Sequence, residues 1–215
     1  NAKVGDLYMQ DDNSNFVSTP GSITNFITPQ LEIPTINPNE QMSNIAGQVS
    51  NDISGKAGFD FLEGFLDKLG AVGIGGKIRG AYEGSKSNKI VFAFPNPLRD
   101  SIDPFEFGSK MRGRKFMTDN PLYAENRRYY VVTGVAKTKS ISIEIQGDEK
   151  NLVDVNANIS QIVDASANLK LEKNQSGKIT YTGDKDLAFG VELYEIGYSD
   201  EKEKFEMKSP NNAIV

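Results

Sequence analysis

The chain has 215 residues, of which 38% are hydrophobic and 25% are charged, and this balance predicts an ordinary globular protein rather than a disordered one. The net charge of -5 provides no excess of lysine and arginine for neutralising phosphates, so nucleic acid is not an expected partner. Cysteine and histidine are both absent, which excludes disulfide bonds, Cys/His zinc sites and the Ser-His-Asp and Cys-His nucleophile systems. No cofactor or metal is expected.

The first forty residues give few signals of regular structure. No apolar stretch approaches about 18 residues, and the start of the sequence lacks the features of a signal peptide, so hydropathy predicts a soluble protein. The segment Asp11–Glu40 is rich in Asn, Ser, Thr and Pro and is predicted to be a long surface loop. A short strand is expected within it, near Leu31–Ile36.

A short amphipathic helix is predicted from Asp60 to Leu69, because its apolar residues follow helical spacing and Gly70 can end it. The next stretch, GAVGIGGKIRGAYEG, does not match a phosphate-binding loop. Gly76 occupies the lysine position of GxxxxGK, and Ile78 occupies the last glycine position of GxGxxG. The glycines therefore indicate flexible or bulged backbone rather than a nucleotide site.

The rest of the chain is predicted to be mainly strand. Lys89–Phe94 is a strand ended by prolines, and a short helix is expected near Asp103–Met111. Two long strands, Tyr129–Ile145 and Leu152–Glu172, are joined by the polar turn GDEKN, and KITYTG, DLAFGVELYEIGY and KFEMK are also strand-like. Runs of strands with a few helices predict one α+β domain around an antiparallel sheet, covering residues 1–208, with a short tail at 209–215.

The second long strand has a two-faced pattern. From Val153 to Leu171 every odd-numbered residue is apolar except Gln161, and every even-numbered residue is polar except Ile162. We expect a bend where the pattern breaks. Each arm of the predicted hairpin has about 17 to 20 residues and could extend some 55 Å at about 3.3 Å per residue. That is longer than a compact domain of this size needs.

Two interpretations fit this long hairpin. In one, the arms break into shorter strands on a sheet, with the odd-numbered face buried and the even-numbered face in water. In the other, it is a transmembrane β-hairpin, in which about 9 to 11 alternating residues per strand cross the hydrocarbon. Lys137 and Lys139 share the parity of the apolar residues, so they would have to lie near the membrane interface, where long side chains snorkel. Many copies would have to assemble side by side, because one hairpin leaves the backbone hydrogen-bonding groups at its two edges unpaired.

Several segments resemble those of gasdermin pore-forming domains. YVVTGVAKTKSISIEI (Tyr130–Ile145) resembles the gasdermin strand that reads YVVTEV followed by a polar stretch and an alternating valine or isoleucine run. KITYTGDKDLAFGVELYEI (Lys178–Ile196) is similar to the later segment in which a polar turn precedes LAF, a variable residue and V. EQMSNIAGQVS, RDSIDPFEF and NPLYAENRRYYVVT are weaker similarities. Their common order and spacing make the resemblance fairly specific from Glu40 to Lys208.

The resemblance implies an α+β fold with a twisted antiparallel sheet and a pore-forming protein that is not an enzyme. In the family, a C-terminal inhibitory element holds this domain inactive until a protease releases it. Two regions then become long β-hairpins, and many identical subunits form a pore that causes cell death, a pyroptosis-like response in antiviral defence. The implied protein is cytoplasmic when inactive and lies at the inner face of the cell's own membrane when active. About seven residues follow Lys208, which resembles the bacterial type with a short inhibitory peptide, or a cleaved form.

The resemblance places the inserting hairpins in two segments, which we call the first candidate segment (Gly55–Phe94) and the second candidate segment (Tyr129–Glu172). Glycine weakens a helix by about 1 kcal/mol relative to alanine, and low local stability is what a refolding segment requires. The membrane-inserting residues of the first candidate segment would be Phe61, Phe65, Leu69, Val72, Ile74, Ile78, Tyr82 and Val91. Those of the second would be Val131, Val135, Ile141, Ile143, Val153, Val155, Ile159, Val163, Leu169 and Leu171.

Basic residues near these segments are candidates for contacts with the headgroups of an anionic lipid membrane, each worth about 1 kcal/mol. They are Lys77, Arg79, Lys110, Arg112, Arg114, Lys115, Arg127 and Arg128. Ordinary solvated charge explains each of them equally well. Carboxylates such as Asp184 and Asp186 lie in polar turns and are interpreted as solvated loop residues rather than a metal or acid–base site. The alternative function is a soluble β-rich binding or structural module that never enters a membrane.

Overall fold

The computed structural model describes residues 2–11, 17–43, 45–50, 53–84, 89–120, 127–146, 170–173, 178–199 and 204–208. Its strands are β1 (Asp6–Asp11), β2 (Val17–Ser22), β3 (Ile27–Thr28), β4 (Asn37–Gln41), β5 (Ile45–Ser50), β6 (Lys89–Phe94), β7 (Leu98–Ser101), β8 (Lys115–Phe116), β9 (Arg127–Gln146), β10 (Lys170–Lys173), β11 (Ile179–Ser199) and β12 (Lys204–Lys208). Its helices are α1 (Ile53–Leu69), α2 (Ile74–Gly84) and α3 (Pro104–Lys110), with a 3-10 turn at Ile23–Phe26. Antiparallel strands with a few short helices confirm the predicted α+β class.

The chain forms two compact units. Unit 1 comprises Asn1–Glu40, Leu98–Lys137 and Ala188–Val215. Unit 2 comprises Gln41–Pro97 and Thr138–Leu187. Because the divisions fall inside β9 and β11, these two long strands contribute residues to both units.

Unit 1 is built around the first half of β9. Residues 127–131 of β9 pair with β1, which in turn pairs with β2, and residues 134–137 of β9 pair with β7, which in turn pairs with β4. Strand β12 pairs with β11, and the short strands β3 and β8 pair with each other. The main buried cluster of this unit is formed by Leu7, Met9, Ile23, Phe26, Ile27, Leu31, Ile102, Phe107, Met111, Phe116, Tyr129, Val131 and Ile196.

The helix α3 of unit 1 has clear local causes. The Asp103 carboxylate accepts hydrogen bonds from the backbone N–H groups of Phe105 (2.8 Å) and Glu106 (3.4 Å), which satisfies donors that the first turn of a helix leaves free. A proline follows directly at the first helical position, where its fixed φ is favourable. Phe107 and Met111 are buried on the inner face. The helix predicted near Asp103–Met111 is confirmed.

The predicted alternation is wrong at the start of β9, where residues 129–135 are all buried. Tyr129 and Val131 belong to the main cluster, whereas Tyr130, Val132 and Val135 pack with Leu193 in a second cluster. Both faces of the strand are therefore covered. The sequence prediction of a wet even-numbered face fails here because it assumed that only one side of the sheet carries a core.

Unit 2 combines a small antiparallel sheet with the two long helices. Strand β6 lies between β5 and the second half of β9, so Phe92 faces both Gly47 and Ile143. Strand β10 pairs with β11. The strand predicted at Lys89–Phe94 is confirmed. The helix α1 begins at Ile53, seven residues before the predicted start, although it ends at Leu69 as predicted.

The expected surface loop at Asp11–Glu40 is wrong. It contains β2, the 3-10 turn, β3 and most of β4, and four of its apolar side chains, Ile23, Phe26, Ile27 and Leu31, are buried in the core of unit 1. Ser22 caps the 3-10 turn by accepting a hydrogen bond from the N–H of Thr24 (3.3 Å). The expected strand at Leu31–Ile36 is also displaced, since the ladder begins at Asn37, after Pro34 and its missing N–H.

Candidate membrane-insertion segments

The first candidate segment is held by an aromatic cluster in unit 2. Phe61 and Phe65 project from α1, and Phe92 and Phe94 project from one face of β6. Ring centroids are separated by 5.9 Å for Phe61 and Phe92, 5.5 Å for Phe65 and Phe94, and 5.8 Å for Phe92 and Phe94. The Phe61–Phe92 pair is stacked and the other two pairs are edge-to-face, and both geometries add to the hydrophobic contact. Sequence reasoning missed this cluster, although the alternating phenylalanines of KIVFAF were its signal.

The apolar residues of α1 and α2 lie on their inner faces. Leu62, Phe65, Leu66 and Leu69 are buried on α1, and Phe61 is half-buried. Ile74, Ile78 and Tyr82 are buried on α2 at intervals of four residues, and the Tyr82 ring packs at a tilt against Phe59 with ring centroids 5.1 Å apart. Of the predicted inserting residues of this segment, Val91 is half-buried, and Val72 is 78% exposed at the turn between the helices.

The turn between the helices depends on glycine at specific places. The N–H groups of Gly70 and Ala71 donate to the carbonyls of Asp67 and Leu66, which is the Schellman pattern that ends α1, and Gly70 has a φ of 103°. Gly73, with a φ of 76°, donates from its N–H to the Asp67 carboxylate at 2.9 Å. Gly70 therefore ends the predicted helix as expected.

Gly75 serves close packing rather than flexibility. A Cβ atom built on Gly75 would lie 2.4 Å from the Cα and 2.8 Å from the Cβ of Glu63 on α1. No other residue fits that position unless the two helices separate. Gly80, also in α2, has no atom within 4 Å of a built Cβ. The predicted flexible backbone is thus a helix whose glycines have different roles.

Replacing Gly75 by alanine is expected to lower the free energy of unfolding by about 1–3 kcal/mol, because the methyl group overpacks the interface of α1 and α2. The matched change Gly80→Ala is expected to raise it by up to about 1 kcal/mol, since the site is open and alanine favours helix. Urea unfolding followed by circular dichroism measures both. Effects of equal sign would contradict the close approach at Gly75.

The second candidate segment is described only in part. Val131, Val135, Ile141 and Ile143 are buried. Leu171 belongs to β10. Val153, Val155, Ile159, Val163 and Leu169 lie outside the described residues, as do the turn GDEKN and the bend expected at Gln161 and Ile162. β9 itself runs unbroken for 20 residues, so this arm is one long strand rather than several short ones.

The long neighbour of β9 is β11, not the arm at Leu152–Glu172 that the sequence predicted, as far as the described residues extend. In unit 2 the two strands are tied by hydroxyl pairs, Ser140 with Thr182 at 2.9 Å and Ser142 with Thr180 at 2.7 Å. On β11, the Tyr181 hydroxyl is buried without a hydrogen-bond partner among the described residues. An unpaired buried hydroxyl costs about 1–3 kcal/mol, which weakens unit 2.

The two lysines that share the apolar parity of β9 differ in environment. The Lys137 ammonium lies 2.7 Å from the Asp100 carboxylate, and both side chains are mostly buried. Lys139 is exposed. The pairing of Lys137 explains how a charge is accommodated on a strand whose neighbouring residues are buried.

The candidate headgroup residues are distributed over both units. In unit 2, Lys77 is exposed, whereas Arg79 pairs with Asp60 (3.3 Å) and Glu83 (3.0 Å) and lies over the Phe59 ring. In unit 1, the Arg114 guanidinium donates to the carbonyls of Lys110 and Gln30, and its Nε is buried without a partner among the described residues. Arg112, Lys115 and Arg128 are exposed, Arg127 is half-buried, and Lys110 pairs with Glu106 at 3.5 Å.

Three other features of the described residues bear on function. No group of three or more acidic, histidine or cysteine side chains is placed to hold a metal ion within the described ranges. Asp184 and Asp186 are exposed on β11. Among the helices that the structure describes, none is long and apolar enough to cross a membrane.

Comparisons with known proteins agree on one family. The model of the Bacterial Gasdermin Family matches residues 2–204. A gasdermin bGSDM of Vitiosangium sp. (strain GDMCC 1.1324) is 30% identical over 184 residues, covering 82% of this chain and 67% of the relative. A gasdermin bGSDM of Gillisia limnaea is 26% identical over 174 residues, covering 79% of this chain and 64% of the relative. The chain thus spans about two thirds of the length of these relatives.

A solved structure agrees in fold. The structure of a bacterial gasdermin from Bradyrhizobium tropiciagri superimposes with a TM-score of 0.63, covering 98% of this chain and 83% of that one. The sequence identity is 17%, so this likeness is evidence of a shared fold.

Proposed function

This chain belongs to the bacterial gasdermin family, a pore-forming and non-enzymatic family, and on that premise we propose that it permeabilises the membrane of its own cell. The proposed sequence of events is release from a C-terminal inhibitory segment by a protease, assembly of many copies at an anionic leaflet, and conversion of the two candidate segments into membrane-spanning β-hairpins. The inactive protein would be cytoplasmic, and the active one would lie at the inner face of the membrane.

The observation that best supports this proposal is a spacing of four residues in both helices. Phe61, Phe65 and Leu69 recur at that interval on α1, and Ile74, Ile78 and Tyr82 recur at it on α2. Residues four apart share one face of a helix. Because four is an even number, the same residues also share one face of a strand. These six residues therefore suit both the observed helices and the proposed hairpin, whereas Leu62 and Leu66, which are also buried on α1, would lie on the other face of the strand.

The contacts that hold this segment suit a change of conformation. Most of its packing comes from exchangeable apolar surface, such as the rings of Phe61, Phe65 and Phe94, and lipid can replace that surface. Among the described residues, the ion pair between the two helices joins Arg79 on α2 to Asp60 on α1 and is largely exposed, whereas the pair of Arg79 with Glu83 lies within α2. Exposed ion pairs contribute little to stability. Releasing the helices therefore breaks few strong polar bonds.

The proposal is tested by dye release from lipid vesicles. Intact chain and chain treated by limited proteolysis are each added to vesicles of phosphatidylcholine alone and to vesicles containing phosphatidylserine. We expect proteolysed chain to release dye from the anionic vesicles much faster than from the neutral ones. If folded chain releases no dye in any of the four combinations, the pore-forming proposal fails and a soluble β-rich binding module is favoured.

A further inference from the structure

Strand β7 is the meeting point of several polar contacts in unit 1. The guanidinium of Arg99 pairs with the carboxylate of Glu192 on β11. Asp100 pairs with Lys137 on β9 at 2.7 Å and accepts a hydrogen bond from the N–H of Asn39 at 2.9 Å. The next residue, Ser101, also makes a polar side-chain contact. Three consecutive residues of this four-residue strand therefore have polar side-chain partners.

That third contact is between Ser101 and Glu40, whose hydroxyl and carboxylate oxygens are 2.7 Å apart. We name the whole set the β7 collar; it consists of Arg99, Asp100 and Ser101 with their partners Asn39, Glu40, Lys137 and Glu192. The partners of β7 lie in all three stretches of unit 1: Asn39 and Glu40 in the first, Lys137 in the second and Glu192 in the third. The collar therefore ties together all three stretches of chain from which this unit is built.

The collar residues lie next to the points where the chain passes from unit 1 into unit 2. Glu40 is the last residue of the first stretch of unit 1. The second stretch begins at Leu98, the first residue of β7, and ends at Lys137. Glu192 lies four residues after Ala188, where the chain returns to unit 1. Every passage between the units thus has a collar residue within a few positions on the unit 1 side.

Two features of the structure favour the paired state of the collar side chains. Gly134 lies opposite Ser101 in the ladder, and a Cβ atom on it would be 2.6 Å from the Glu192 carboxylate and 3.0 Å from the Arg99 guanidinium. Glycine thus leaves the space that this ion pair occupies. Burial by itself would raise the pKa of Asp100, but the hydrogen bonds from Lys137 and Asn39 and the charge of Lys137 together lower it. The carboxylate is therefore held in its charged, paired form.

We propose that the β7 collar is a fixed anchor, which keeps unit 1 folded while the candidate segments of unit 2 rearrange. The inference rests on the proposed function. It is supported by the position of the first candidate segment, Gly55–Phe94, which lies wholly inside unit 2. The second candidate segment lies in unit 2 from Thr138 onward, and the collar holds it at Lys137. The first part of that segment, with Val131 and Val135, therefore stays folded in unit 1 and does not enter the membrane under this inference. Arg99, Asp100 and Glu192 are accordingly positioning residues that define where the moving strands begin.

A reversible covalent lock tests this anchor. Arg99 and Ala136 are directly opposed in the β7 and β9 ladder, so the variant Arg99→Cys/Ala136→Cys can form a disulfide that replaces the ion pair to Glu192, in a chain without other cysteines. The oxidised variant is expected to release dye at the rate of the unmodified chain. After reduction, when neither ion pair nor disulfide remains, release is expected to be about tenfold slower. If this variant misfolds, the next ladder pair, Leu98→Cys/Lys137→Cys, replaces it.

Three outcomes would overturn the inference. Dye release that stops on oxidation and returns on reduction would show that β7 must separate from β9. Dye release by the reduced variant at the rate of the unmodified chain would show that the collar is unnecessary. Faster release would show that the collar inhibits pore formation. Hydrogen exchange without vesicles gives an independent readout: the amides of α1 and α2 should exchange through an opening that leaves residues 131–135 protected. If the unmodified chain releases no dye, the proposed function fails, whereas exchange still decides whether unit 1 is the fixed part.

Discussion

Linking residues 64 and 68 with a short bifunctional thiol reagent, in the variant Gly64→Cys/Lys68→Cys, is expected to abolish dye release from anionic vesicles. Both positions are exposed on α1, and the chain has no cysteine of its own to compete for the reagent. Residues four apart are separated by about 6 Å along a helix and by about 13 Å along a strand. A linker of the helical length therefore prevents this part of the first candidate segment from becoming a strand.

The matched control places the same link on α3. Phe105 and Ser109 are also four residues apart, and both are exposed. Because α3 belongs to unit 1, Phe105→Cys/Ser109→Cys joined by the same reagent is expected to leave dye release close to that of the unmodified chain. Full release by the linked α1 variant would show that the helix does not convert. Loss of release in both linked variants would show that unit 1 rearranges as well.

A lysine at position 155 is expected to reduce dye release by more than tenfold, whereas a lysine at position 156 is expected to leave it within about twofold. Val155 lies on the apolar parity of the second candidate segment and Asn156 lies on the polar one. A lysine facing lipid near the middle of the bilayer costs about 2–4 kcal/mol per strand, and this cost recurs in every subunit of an assembly. A lysine on the other face would meet water.

Vesicle binding by flotation is measured alongside this second prediction, so that a loss of dye release with normal binding is assigned to insertion. Circular dichroism of both variants before vesicles are added shows whether either has lost its fold. Equal losses at Val155→Lys and Asn156→Lys, with the fold intact, would refute the assignment of one face to lipid. The positions lie beyond the described residues, so this prediction rests on the alternation in the sequence.

The elements that could be predicted from the sequence are those with a local cause. The helix α3 was predictable because Asp103 and Pro104 start it through capping and a fixed φ. The end of α1 was predictable from Gly70, whose positive φ is a known way to end a helix. The strand β6 was bounded by prolines. In each case the signal lies within a few residues of the feature that it determines.

The elements that could not be predicted depend on contacts between distant parts of the chain. Gly75 looks like a flexible residue in the sequence, and only the backbone of Glu63 on another helix shows why a larger residue is excluded. The Asn-rich and Ser-rich early segment looks like a loop, yet Phe26 and Leu31 complete the core of unit 1. Likewise, the pairing of Arg99 with Glu192 joins residues 93 positions apart. Single-sequence patterns contain no information on such partners.

The same limit applies to the candidate insertion residues. Their parity and spacing could be read from the sequence, and the structure places the described ones that belong to the first candidate segment on α1, α2, the turn between them and β6. The strand beside β9 could not be read, because adjacency in the sequence favoured the arm at Leu152–Glu172 over β11. A tight turn is the usual basis for predicting a hairpin partner, and here a more distant strand takes that place.

The interval of four between the buried apolar residues Ile74, Ile78 and Tyr82 on α2 restricts how this helix can evolve under the proposed function. In an ordinary amphipathic helix, residues three apart and residues four apart both lie on the same face. A step of three changes the face of a strand, so moving an apolar side chain by three positions would preserve the helix around Ile74 and Ile78 and disrupt the proposed hairpin. Selection on two conformations would thus permit fewer substitutions in α2 than selection on a helix alone.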